Sequence, residues 1–250
     1  MKVRMYNVGF GDCFCLRDRK KSLLVDFGTN NSRIEGRPRR EIFDVIISDL
    51  STIKSKNLLL THFHMDHLSG LLYMMKKKDI SVDFGKIYLP DVFSKKEMSR
   101  TLVLLLLADL LKESGLPSRQ VSLFALVDAL LENKQNVELL SRGKLFENKY
   151  QALWPDTDVI RKETDEVYNR ICEDGKFKEV MDVLLEFAEK LRLIVWSMTA
   201  EGNKPAETVE KETDSTASEL TEQPEVRQKI IRAYVYAVSY THLRAHETRG

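Results

Sequence analysis

The sequence predicts an α/β fold, a sheet layered with helices and carrying helical insertions. Three observations predict it. Short strands separated by turn residues fill the N-terminus, segments of helical period alternate with further short strands, and a histidine-rich turn joins a strand to a helix.

The elements follow in order. Val3 to Val8, Cys13 to Arg17 and Ser22 to Asp26 read as three strands. The turns Gly9-Phe10-Gly11-Asp12 and Asp18-Arg19-Lys20-Lys21 join them. Glu41 to Leu50 and Leu68 to Lys78 look helical, and Asn57 to Leu60 and Lys86 to Leu89 look like strands, the latter ending at Pro90. A helical pair is expected over about Lys95 to Ser114 and Ser118 to Asn133, broken at Gly115-Leu116-Pro117. The first of these is apolar almost all round, which calls for deep burial or an interface. Val137 to Leu140 and Gly143 to Trp154 return to strand character. A second helical pair covers Thr164 to Glu173 and Phe177 to Trp196. Its second member repeats apolar residues at Phe177, Val180, Met181, Leu184, Leu185, Ala188 and Leu191. The helical pairs read as insertions, either a cap over a site or a packing surface.

Chemistry concentrates in Thr61-His62-Phe63-His64-Met65-Asp66-His67-Leu68-Ser69-Gly70, which holds three of the chain's five histidines. Imidazole and carboxylate ligate zinc and similar divalent ions, and each would need a polar partner if simply buried. His62, His64, Asp66 and His67 are therefore candidate metal ligands. No paired cysteines close the set, so the site is of the open kind that catalysis uses. On an extended segment His62 and His64 point the same way and can grip one ion, while Asp66 and His67, at the turn into a helix, can reach a second.

The His-x-His-x-Asp-His string resembles the signature of the metallo-β-lactamase superfamily. Asn7-Val8-Gly9-Phe10-Gly11-Asp12 and Val25-Asp26-Phe27-Gly28 resemble the opening of the hydrolase domain of DNA-uptake (competence) proteins. The resemblance covers roughly residues 1 to 90 and implies an αβ/βα sandwich, of which this chain would be the N-terminal half. It implies a binuclear zinc hydrolase, with Mn2+ or Fe2+ suited to the same ligands, and a metal-bound hydroxide as nucleophile. Asp66 would orient that hydroxide and relay a proton, and Asp26 would stand near the ligands without binding metal.

The implied substrate is a phosphodiester or nucleic acid. Ester, thioester or lactam hydrolysis on the same site is the alternative, and a non-catalytic scaffold is the third reading. Arg33, Arg37, Arg39 and Arg40 follow Asp26 and suit phosphate oxygens, so Arg37, Arg39 and Arg40 are candidate substrate-binding residues. Lys76-Lys77-Lys78 and Lys95-Lys96 read as ordinary surface charge.

The remaining histidines, His242 and His246, have helical ligand spacing. However, Val238 to Thr248 resembles one reading frame of a transposase-type sequencing adapter, so residues 238–250 are set aside as non-native. The expected organisation is a truncated domain over 1–200, an acidic flexible linker over 201–225, and the start of a further strand or helix over 226–237. Glu201 to Glu225 holds eight acidic and two basic residues, a composition that buries too little to order. The superfamily's later ligands are expected on a part beyond this sequence. Residues 1–237 alone should then bind metal weakly, without appreciable turnover.

A net charge of +1 gives no global attraction to nucleic acid or anionic membrane. No apolar run is long enough for a membrane span, and the N-terminus lacks a signal-peptide core, so a cytoplasmic location is expected. Cys13, Cys15 and Cys172 read as small buried hydrophobes in a reducing compartment. Oligomeric state is not legible.

Overall fold

The computed structural model describes residues 1–18, 21–77, 83–112, 122–173 and 175–202. The predicted linker beyond residue 202, the segment 226–237, the tail with His242 and His246, and the Gly115-Leu116-Pro117 break lie outside the described residues. The elements are β1 (Lys2–Met5), β2 (Phe14–Asp18), β3 (Lys21–Val25), β4 (Arg33–Ile34), β5 (Arg37–Pro38), α1 (Arg39–Ser51), β6 (Ser55–Leu59), α2 (Met65–Lys76) and β7 (Ile87–Pro90). A 3-10 turn (Lys96–Met98) leads into α3 (Ser99–Lys112), followed by α4 (Ser122–Glu132), β8 (Val137–Leu140), β9 (Leu145–Phe146), β10 (Tyr150–Gln151), α5 (Thr157–Cys172) and α6 (Gly175–Ser197). No helix among the described residues is long and apolar enough to cross a membrane.

The chain forms two compact units. One comprises Met1–Asp91, Ala129–Trp154 and residues 197–202, and the other Val92–Asp128 with Pro155–Trp196. The first holds a six-stranded mixed sheet of order β1-β2-β3-β6-β7-β8. The N-terminal meander β1-β2-β3 is antiparallel, and β3, β6, β7 and β8 run parallel. Parallel pairing needs crossovers, and α1 and α2 supply two of them.

Strand alternation sorts the side chains by face. Leu24, Leu58, Ile87 and Leu89 share one face and are fully buried. Leu23, Tyr88 and Leu140 share the other, where Phe146 and Ala152 of the β9–β10 hairpin pack on them. The stretch of strand character expected over Gly143 to Trp154 is thus a hairpin. Its turn places Glu147 and Asn148 at φ +52° and +55°, left-handed backbone without the glycine that usually signals it. The Glu147 carboxylate accepts hydrogen bonds from Tyr88 Oη (2.8 Å) and Asn57 Nδ2, fastening the hairpin to the sheet.

Other boundaries differ for local reasons. β1 ends at Met5, short of the expected Val8, and the chain then turns into a loop at Gly9 (φ +70°). α5 begins at Thr157, seven residues before the expected Thr164, because the Asp156 carboxylate caps it by accepting from Val159 N (3.3 Å). Tyr168 is the buried residue of α5, so its first turns carry little apolar period to reveal them. The segment after Asp26 forms the small hairpin β4–β5 rather than a plain loop.

In the second unit α6 buries Met181, Leu184, Phe187, Ala188 and Leu191, close to the predicted stripe. Leu102, Val103 and Leu106 of α3 are fully buried. Ser99 Oγ donates to Glu189 Oε1 (2.6 Å) and Arg100 pairs with Asp165 (2.8 Å).

Glycines decide how closely three segments meet at the sheet's end. The Gly11 loop, the Phe27-Gly28 loop and the first turn of α2 are in backbone contact. Asp12 N donates to Asp66 O (3.3 Å), Phe27 N to His67 O (2.7 Å), and Gly70 N and Leu71 N both donate to Phe27 O (2.9 and 3.1 Å). A Cβ on Gly11 would sit 2.3 Å from Gly28 O, and one on Gly28 would sit 2.6 Å from Leu68 N. A Cβ on Gly70 would strike the Phe27 ring at 2.6 Å. Backbone cannot move aside as a side chain can, so Gly28→Ala is expected to cost about 2–3 kcal/mol in denaturant unfolding. Gly175→Ala, where no atom lies within 4 Å, should be close to neutral; equal effects of the two would contradict the close approach.

Cys13 and Cys15 are free and buried, and burial pushes the Cys13 thiol well above its usual range, with Cys15, Asp26 and Asp12 adding to the effect. Thiol titration with DTNB at pH 8 should modify at most Cys172 in the native protein and all three cysteines after denaturation. Rapid native labelling of three thiols would refute this burial.

Candidate metal centre

The site lies at the carboxyl ends of the parallel strands, where open α/β sheets form their crevices. β3 delivers Asp26 one residue past its end, β6 delivers the histidine turn, and Asp26 N donating to Leu59 O (2.8 Å) holds the two exits together. α2 begins at Met65, three residues earlier than expected, so Asp66 and His67 stand in its first turn. His64 occupies the N-cap position in extended conformation, and its carbonyl accepts from His67 N (2.9 Å).

Asp26 is only 2% exposed and has φ +53°, a left-handed conformation that aspartate tolerates better than most residues. Its carboxylate organises what surrounds it. Oδ1 accepts from Thr61 N (2.8 Å), and Oδ2 accepts from Thr61 Oγ1 (2.6 Å). His67 Nδ1 lies 2.9 Å from the same Oδ2. A carboxylate only accepts, so His67 carries its proton on Nδ1 and leaves the Nε2 lone pair free. Thr61 has one hydroxyl proton and gives it to Asp26. Its oxygen, 3.0 Å from His62 Nδ1, therefore accepts from that nitrogen and leaves His62 Nε2 free as well. One buried carboxylate sets two imidazoles in the tautomer that ligates metal through Nε2.

The rings are crowded. The centroids of His62 and His67 are 3.7 Å apart and those of His62 and His64 are 4.8 Å apart. Burial, and then His67 and His64, hold the His62 pKa below the ordinary imidazole value, favouring the neutral form that binds metal. His62, Asp66 and His67 each offer a ligand atom, and these lie within 4.8 Å of one another. Asp66 Oδ2 is 3.8 Å from His67 Nε2. His64 is exposed, with its ring against His62 but outside that close group.

Asp12, a turn residue by its sequence alone, forms a second close group with Asp26 and His67. Its Oδ2 is 3.7 Å from His67 Nδ1. Gly11, whose added Cβ would meet Asp66 O at 2.7 Å, lets that loop press against α2. Arg33 and Arg37 lie on the β4–β5 hairpin and Arg39 and Arg40 open α1. Arg33 Nε donates to Gly36 O within the hairpin (3.1 Å), whereas Arg37 and Arg40 are exposed.

The donor set fits a divalent metal. It combines neutral imidazoles with fixed free nitrogens, a carboxylate beside them, and carboxylate and hydroxyl groups ordering the rings from behind.

Comparison with known proteins agrees with this geometry. Residues 6–91 match the family model of the metallo-beta-lactamase superfamily. The chain is 32% identical over 77 residues to an endoribonuclease, YSH1, of Mycosarcoma maydis, a match covering 31% of this chain and 8% of that protein. The chain therefore spans under a tenth of the relative's length. No solved structure gives a significant match. The histidine-aspartate turn and four of the six strands of the mixed sheet fall within the matched segment, so residues 6–91 are similar to the metallo-β-lactamase superfamily in sequence and carry a site of matching donor chemistry.

Proposed function

We propose that this chain carries the metal-binding part of a hydrolase that uses a binuclear zinc site on phosphodiester substrates, nucleic acid foremost. The observation that carries the reading is the convergence of His62, Asp66 and His67 within 4.8 Å, with Asp26 fixing the imidazoles from behind. The relative that is an endoribonuclease favours nucleic acid among the substrates open to the superfamily.

His62 and His64 would hold one ion and Asp66 and His67 the other. When bound, such ions lower the pKa of coordinated water and stabilise charge on a phosphoryl oxygen. The chain's own residues do the rest. Asp26 and Thr61 hold the two imidazoles in one tautomer, and the Gly11 and Gly28 loops fix the position of the first turn of α2. Asp66 orients the attacking water and passes its proton toward the leaving group.

Two measurements test this. Metal-dependent cleavage of a phosphodiester and of an RNA oligonucleotide by the complete gene product should fall by about 100-fold or more in His64→Ala. Turnover confined to esters, thioesters or lactams would overturn the substrate class, and metal-independent turnover would overturn the mechanism. In zinc-binding titrations, Asp26→Asn should weaken affinity by about 10–100-fold and Thr61→Val by about tenfold. Unchanged affinity in both variants would refute the tautomer arrangement.

A further inference from the structure

Phe10 is 80% exposed, yet both its backbone polar groups are hydrogen-bonded. Its N–H donates to Asn31 Oδ1 (2.6 Å), and its carbonyl accepts from Asn30 N (2.8 Å) and Thr29 Oγ1 (3.2 Å). On one side Gly9 is left-handed, and a Cβ there would meet Asn31 Oδ1 at 2.8 Å. On the other side Gly11 is locked against Gly28 and Asp66. Single exposed apolar residues are ordinary on protein surfaces. Here the backbone that carries the ring is held by three hydrogen bonds and flanked by two sterically required glycines, so the ring projects from an ordered loop. The loop has little backbone freedom left to lose on binding, which suits a stacking platform.

Its neighbourhood selects the ligand. Phe10 is two residues from Asp12, at most about 7.6 Å between Cα atoms, and the Asp12 carboxylate reaches the His67 ring. The loop that carries the ring therefore borders the candidate metal centre, with Asp12 N also donating to Asp66 O (3.3 Å). The same loop is tied to the arginine-bearing hairpin, because Asn7 Nδ2 donates to Glu35 Oε1 (2.8 Å) and Asn31 bonds Phe10. Arg37 and Arg40 are exposed and form no ion pair among the described residues. Glu35 and Glu41 are the acidic groups nearby in sequence, and Glu35 is engaged by Asn7. Exposed cations for phosphates and an exposed aromatic ring for a base, on segments tied to one another, match single-stranded nucleic acid.

We propose that Phe10 stacks on a nucleobase of single-stranded nucleic acid at the rim of the metal centre, with Arg37 and Arg40 contacting the adjoining phosphates. This rests on the phosphodiester reading above and adds the strandedness of the substrate and the residue that grips a base.

The test measures anisotropy of a labelled 12-nucleotide single-stranded RNA with the whole chain in EDTA, so that cleavage does not intervene. Zinc content and thermal unfolding are measured in parallel. Phe10→Ala should weaken binding by about 5- to 150-fold with zinc content and unfolding unchanged, and Phe10→Tyr should bind within about twofold of the parent. Arg37→Ala with Arg40→Ala should lower the slope of log affinity against log salt by about 0.7 for each phosphate no longer neutralised. Wild-type affinity in Phe10→Ala, or no RNA binding by the parent, would overturn the proposal. So would duplex RNA competing as well as single strands, or Phe10→Leu binding as tightly as Phe10→Tyr. Loss of zinc binding in the parent would instead defeat the metallo-hydrolase reading, so the two failures are distinguishable.

Discussion

The buried carboxylate of Asp26 takes hydrogen bonds from both the backbone and the hydroxyl of Thr61 and lies 2.9 Å from His67 Nδ1. Much of the site depends on this arrangement. A carboxylate buried at the end of a strand would be costly without partners, and here every partner comes from the histidine turn. The same contacts that offset its burial orient His67 directly and His62 through Thr61. Stability and ligand geometry therefore share one group, and the left-handed backbone at Asp26 (φ +53°) is the local strain that accompanies it.

The rest of the first unit places that carboxylate. Parallel pairing of β3 with β6 brings their carboxyl ends level, with Val25 opposite Leu59. The next residues, Asp26 and the histidine turn, then emerge side by side. Gly11, Gly28 and Gly70 let two loops and a helix come closer than any side chain would allow, and they thereby fix where Asp66 and His67 stand. Phe27, packed edge-on against Phe43 at 5.2 Å, seats this junction on the apolar core.

Much of this is legible in the sequence. The meander and the order of strands and helices follow from turn residues and periodicity, the candidate ligands of the histidine turn from their chemistry, and a place for Asp26 near them from the family resemblance. What escapes does so for physical reasons. The Glu147-Asn148 turn adopts positive φ without glycine, and α5 starts on a cap ahead of its apolar stripe. Asp12 reaches His67 only through the folding of a loop onto a helix, and no local pattern encodes such a contact. The part Thr61 plays in ordering His62 likewise depends on counting protons among three side chains brought together by the fold.

X-ray absorption on the zinc-loaded chain tests the central claim most directly, because it reads the atoms around the ion. The expected spectrum shows an oxygen and nitrogen shell at about 2.0–2.1 Å, with imidazole scattering that is lost in His62→Ala and His67→Ala. A sulfur shell, or a spectrum that neither substitution alters, would contradict it.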